Sequence, residues 1–197
     1  MTTIESRNLG RPRTAVLVAA VAVALVAAGC GSDSEANAPM DPGGPTASLS
    51  APPPPALPAP FAGVDQSNPE SVMVAAAQTL FSYAPATDRN QLDAVNRAAP
   101  LLDERYYSDN AGSLIALAPI TGRQWAQWAE QQAIVTATAT VTNDEHPEDK
   151  PAKVSRVVAV QLDATDPSGR SIDSTSFAAY MTATKLGVWR VSGVMVR

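Results

Sequence analysis

Cysteine, histidine and aromatic side chains are what this chain has least of: one Cys, one His and 5% aromatics in 197 residues. A single cysteine, Cys30, excludes a disulfide within the chain and any metal site built on several thiolates. The lone histidine cannot serve as base to several nucleophiles. His146 also lies in Asp144-Glu145-His146-Pro147-Glu148-Asp149, a polar stretch read as a hairpin tip where an imidazole is hydrated. General-base chemistry asks instead for a tunable group in a dry pocket. A cation held by His146 and its carboxylate neighbours is the alternative, although their spacing matches no ordered calcium loop. Basic residues are outnumbered by acidic ones, 14 to 19, which excludes the basic stripe of a nucleic-acid binder. No glycine-rich strand-to-helix phosphate loop and no internal repeat occurs, so no cofactor is expected.

The one cysteine ends the run AVLVAAVAVALVAAGC (Ala15–Cys30), which follows Arg7, Arg11 and Arg13. Its 15 uncharged residues to Gly29 would rise roughly 22 Å as a helix, short of a ~30 Å hydrocarbon core and suited to an export signal. Arg11-Pro12-Arg13 is not a twin-arginine pair, so export is expected in the unfolded state. Ala27-Ala28-Gly29-Cys30 resembles the bacterial lipoprotein box, in which Leu is commoner at the position of Ala27. The resemblance implies cleavage after Gly29 and acylation of Cys30. Two or three chains, at ~0.8 kcal/mol per buried methylene, give durable anchoring where one does not.

Residues 1–29 are therefore read as a signal peptide. Removing them takes away Glu5 and the three arginines, leaving 11 basic and 18 acidic residues and a net charge of −7. Residues 30–65 are read as the lipidated cysteine and a linker. Gly31–Phe61 has nine prolines and no Lys or Arg, the composition of a semi-stiff, solvated spacer. Residues 66–197 remain as one domain of ordinary size.

Within that domain, Asn68-Pro69-Glu70 predicts a capped helix start, followed by Val72, Ala76 and Leu80 at helical spacing and a stop at Pro85. A second helix is expected from Asp88, with Gln91 as reciprocal capping partner, and a third from Thr121 with Gln124. The period then changes to two. Val135, Ala137, Ala139 and Val141 alternate with Thr136, Thr138, Thr140 and Thr142, the pattern of a half-buried strand. VSRVVAVQLDA, STSFAAYMTATK and VWRVSGVMV supply three more. Three N-terminal helices before four strands with short connections imply an α+β domain, the helices on one side of an antiparallel sheet.

This order, with Gly187-Val188-Trp189-Arg190-Val191 in the last strand, resembles the nuclear-transport-factor-2-like superfamily. The resemblance implies a curved four-stranded sheet and helices forming a cone. Ser82-Tyr83 and Ile120-Thr121-Gly122 are similar to features of two actinobacterial envelope groups with this fold. One comprises the Mce-associated proteins, the other the conjugation proteins related to a type IV secretion assembly factor. Most of their members have a transmembrane helix where this chain has its lipoprotein box.

Enzymes with such a cone place a carboxylate or an Asp–His pair inside it; here Asp103 with Tyr106 or Tyr107 is the nearest arrangement, and helix-surface acid with core tyrosine the blander reading. Arg156 and Arg190 share parity with apolar residues, which points to rim positions or acid partners, or to an anion pocket. Asp163 and Asp173 flank a turn and solubilise strand ends. Trp125, Trp128, Tyr106, Thr138 and Thr140 are the candidates for a pocket or interface, with core packing the alternative for the tryptophans. The resulting expectation is a non-enzymatic, lipid-anchored accessory or scaffold on the extracytoplasmic face of the cell membrane. Its expected partners are the membrane, envelope transport or secretion proteins, and a second copy through the sheet. A small apolar ligand carried in the cone is the alternative, and an isomerase-like enzyme the third.

Overall fold

The computed structural model describes residues 53–197. The expected signal peptide, Cys30 and most of the proline-rich stretch lie outside the described residues.

Helix α1 (Pro69–Leu80) starts as its sequence dictates. The Asn68 side chain accepts from the Glu70 and Ser71 N–H groups at 2.9 and 3.3 Å, and Pro69 stands where no N–H is needed. Val72, Met73, Ala76, Ala77 and Leu80 form its buried stripe. The next segment differs from expectation. Asp88 does not cap a helix; its carboxylate accepts from Ala84 N–H at 2.8 Å and holds Arg97 at 2.6 Å. Helix α2 (Leu92–Ala98) begins four residues later, where Asn90 Oδ1 accepts from Leu92 N–H at 2.8 Å. Asp103 then caps a separate helix, α3 (Glu104–Leu114), by accepting from Tyr106 N–H at 2.9 Å. Thr121 caps α4 (Gly122–Glu130) as predicted, but the Gln124 side chain reaches across to Asp173 at 2.6 Å instead of back to the cap. The described residues thus contain four α-helices, not three, because two short side chains (Asn90 and Asp103) satisfy helix ends on either side of the Pro100 break.

The strands follow as β1 (Ile134–Val141), β2 (Lys153–Thr165), β3 (Ser171–Leu186) and β4 (Val188–Val196), in the spatial order β1-β2-β3-β4 and antiparallel throughout. Gly187, at φ +83°, makes the tight β3–β4 turn that a residue with a Cβ would strain. Apolar residues of one parity meet the helices. Val135, Val158, Val160, Leu162, Met181 and Val191 pack with Met73, Phe81, Val95 and Leu101 in one core. Leu57 and Phe61, from the end of the proline-rich stretch, are buried in the same core.

The cone is corrected. The sheet is an open meander with β1 and β4 as two separate edges, not a closed or conical surface. The β1–β2 ladder runs through eight pairs without a break, and register shifts occur at Ala164/Thr165 and Thr182/Ala183. Most of the helix-facing side is filled by the core, and the space left on it is a groove bordered by Tyr106, Arg156, Met181 and Val194.

Candidate functional site: the open face of the sheet

Alternation divides each strand between a helix-facing side and a side carrying the exposed residues. On the second side the register aligns five cross-strand rows. They read Thr136–Asp163–Ser174, Thr138–Gln161–Ser176, Thr140–Ala159–Ala178, Val157–Tyr180–Met195 and Ser155–Thr182–Gly193. The first two rows are tied laterally. Gln161 bonds both Ser174 and Ser176, and Ser174 Oγ donates to Asp163 Oδ1 at 2.9 Å. These bonds link the Gln161, Asp163, Ser174 and Ser176 side chains within the face. The Val157–Tyr180–Met195 row is apolar, with Tyr180 and Met195 41% and 52% exposed. Arg197 lies 5.5 Å over the Tyr180 ring.

A groove of 420 Å³ lies on the opposite, helix-facing side, over the cross-strand row Arg156–Met181–Val194. Glu145, His146 and Pro147 of the β1–β2 connection bound it on one side, and Tyr106 and Asn110 of α3 on the other. Arg156 holds the connection in place. Its guanidinium donates to both oxygens of Asp149 at 2.7 and 2.8 Å and to Glu70 of α1 at 2.7 Å. His146 Nδ1 lies 3.3 Å from Arg156 Nη1 and 3.0 Å from the Pro147 carbonyl oxygen. The parity that placed Arg156 among apolar residues is explained by acid partners, not by an anion pocket.

The bond from Arg156 holds the Asp149 carboxyl below its ordinary 3.8. A depressed carboxyl stabilises the fold above its unfolded value, and that contribution is lost as pH falls through the lower folded one. Melting temperature is therefore expected to fall below about pH 4, with a shallower slope in Asp149→Asn. Equal slopes in the two proteins would contradict the tie.

The residues singled out by sequence do not converge on one site. Trp128 is buried at 3% exposure, a core residue of α4. Trp125 is half-buried and stands edge-on to Tyr83, ring centres 5.4 Å apart. Burial pushes the Tyr83 hydroxyl above its ordinary value. Tyr106 does border the groove, but its hydroxyl oxygen accepts from Val194 N–H at 2.9 Å, so it seals the β4 edge. Thr138 and Thr140 are exposed on the open face. Cys30 lies outside the described residues.

The acid–phenol arrangement dissolves. The Asp103 carboxylate faces the backbone N–H of Tyr106 and the phenol faces β4. Arg190 donates to Gln66 and to the Trp189 carbonyl. No group of three or more His, Cys, Asp or Glu side chains is placed to hold a metal ion among the described residues. Sequence reading missed the Val157–Tyr180–Met195 row, because those residues share a row only through the strand register. The exposure of Tyr180 and Met195 was signalled by their parity against Met181 and Val194.

No family model matches the chain. No curated protein matches it either. Among solved structures, a periplasmic fragment of TraM is partly similar, with a TM-score of 0.43 and 12% identity over 64% of this chain and 93% of that one.

Proposed function

We propose that the protein is a lipid-anchored, non-enzymatic accessory of a cell-envelope transport or secretion assembly, and that it engages its protein partner through the open sheet face. The observation carrying this reading is that face. It is uncharged across Thr138, Thr140, Ala159, Ala178, Tyr180 and Met195, and it keeps a large aromatic and a methionine in solvent. Aromatic and methionine side chains are enriched in recognition patches. Four strands over eight residues measure roughly 19 by 27 Å, on the order of 500 Å². That is below the ~800 Å² per partner of a standard interface, so the partner contacts residues beyond these strands as well. The acylated Cys30 and the proline-rich spacer set the face at a distance from the membrane.

Crosslinking and affinity purification from native membranes tests this, beside a Cys30→Ala control. Recovery of transport or secretion subunits, weakened in the control, is expected. Recovery of the protein alone under efficient crosslinking contradicts the reading. The groove over Met181 and Val194 favours a second reading, a small apolar ligand. A co-purifying small molecule without protein partners would move the assignment there.

A further inference from the structure

The two edges of the sheet are treated differently. Along β4, Trp189 N–H donates to the Gln66 carbonyl at 3.1 Å, the Val191 carbonyl accepts from Asp103 N–H at 2.8 Å, and Val194 N–H donates to Tyr106. Along β1, Tyr83 pairs with Val135 through two bonds of 2.9 Å, and Ser82 Oγ accepts from Ala137 N–H at 2.9 Å. There the cover stops. Residues of this parity direct their backbone groups away from β2, so the Ala137 carbonyl and both polar groups of Ala139 and Val141 face outward. Among the described residues none of these five groups has a hydrogen-bond partner. Among the described residues nothing protects this half of the edge, and Ala137–Val141 itself has no charge, no proline and no bulge. Natural sheets use those devices to block pairing with another chain.

We infer that this open half-edge pairs with the same segment of a second copy, antiparallel about a two-fold axis at Ala139, joining two sheets into one of eight strands. The segment is self-complementary in this register. Ala139 N–H and C=O exchange bonds with Ala139 of the second copy. Each Ala137 carbonyl accepts from the other copy's Val141 N–H, giving four backbone bonds.

Tyr83 already occupies Val135, so the pairing cannot slide further and the register is fixed. The second copy's Ala137, Ala139 and Val141 side chains then point into a groove of 540 Å³ between β1 and α1, walled by Val74, Ala75 and Gln78. Charge does not oppose the same axis. The two-fold sets Asp144 of the second copy opposite Ile134, near Arg97, which Asp88 already holds, so no like charges are brought together. The pairing is independent of partner recognition, because Thr138 and Thr140 stay on the open face and simply extend it across both copies.

The test uses the full chain in detergent. Light scattering, with the micelle subtracted, is expected to give a dimer. Ala139→Pro removes only an outward donor, so β1–β2 pairing survives, and dimerisation is expected to weaken about tenfold or more. Circular dichroism confirms that the variant is folded. In a Cys30→Ala background, Thr138→Cys and Thr140→Cys chains are coexpressed and oxidised. Since 138 faces 140 across this axis, mixed disulfides are expected in excess over those formed by either variant alone. A monomeric full chain overturns the proposal, as do disulfides formed equally within single variants or a folded Ala139→Pro that dimerises undiminished.

Discussion

Val158→Asp is expected to abolish folding, whereas Ala159→Asp, one residue along the same strand, leaves the protein folded. Val158 is fully buried on the helix-facing side of β2. A carboxylate there has no partner in the apolar core, and burying an isolated charge or neutralising it costs several kcal/mol or more. Domains have only about 5–15 kcal/mol to lose. Ala159 is exposed between Thr140 and Ala178, where an aspartate keeps its water and costs on the order of 1 kcal/mol through strand propensity. Circular dichroism and thermal melting of the two variants check the contrast. Similar stabilities would mean that the division of the sheet into a packed and an open side is wrong.

Trp128→Ala is expected to destabilise the domain by about 3–5 kcal/mol, the range for emptying a buried aromatic site, and to lower its melting temperature by roughly 10 °C. Trp128 is 3% exposed, and its carbonyl accepts from Ala133 N–H at 2.9 Å where α4 hands over to β1. A cavity at that junction loosens both elements. Trp125→Ala removes a half-buried ring edge-on to Tyr83 and is expected to cost about 1–2 kcal/mol. Denaturant titrations of both variants measure the difference. Equal losses would show that Trp125 is as much a core residue as its neighbour.

These contrasts mark what was legible in the sequence. Alternation in TATATV and in VSRVVAVQLDA assigns each strand residue a side, and Val135, Ala137, Val158, Val160 and Leu162 are buried as that pattern dictates. Asn68 and Thr121 cap the helices they were expected to cap. Asp88 was misread because its carboxylate has two competing partners, Ala84 N–H and Arg97, that no local pattern reveals. Curvature was not legible at all. A period of two says which side a residue faces, not whether the sheet closes, and the resemblance supplied a cone where the strands form an open meander. The site was half legible. Thr138 and Thr140 follow from parity, but the Val157–Tyr180–Met195 row and the Glu70–Arg156–Asp149 tie join residues from separate elements.

Ala159→Asp tests most directly whether the open face recognises a protein partner. The full-length variant, expressed at native level, is compared with the unaltered protein in crosslinking and affinity purification from native membranes. Loss of the recovered envelope subunits, with melting temperature and membrane fraction unchanged, is the predicted result. Undiminished recovery of the same subunits by the folded variant would contradict it and move recognition off this face.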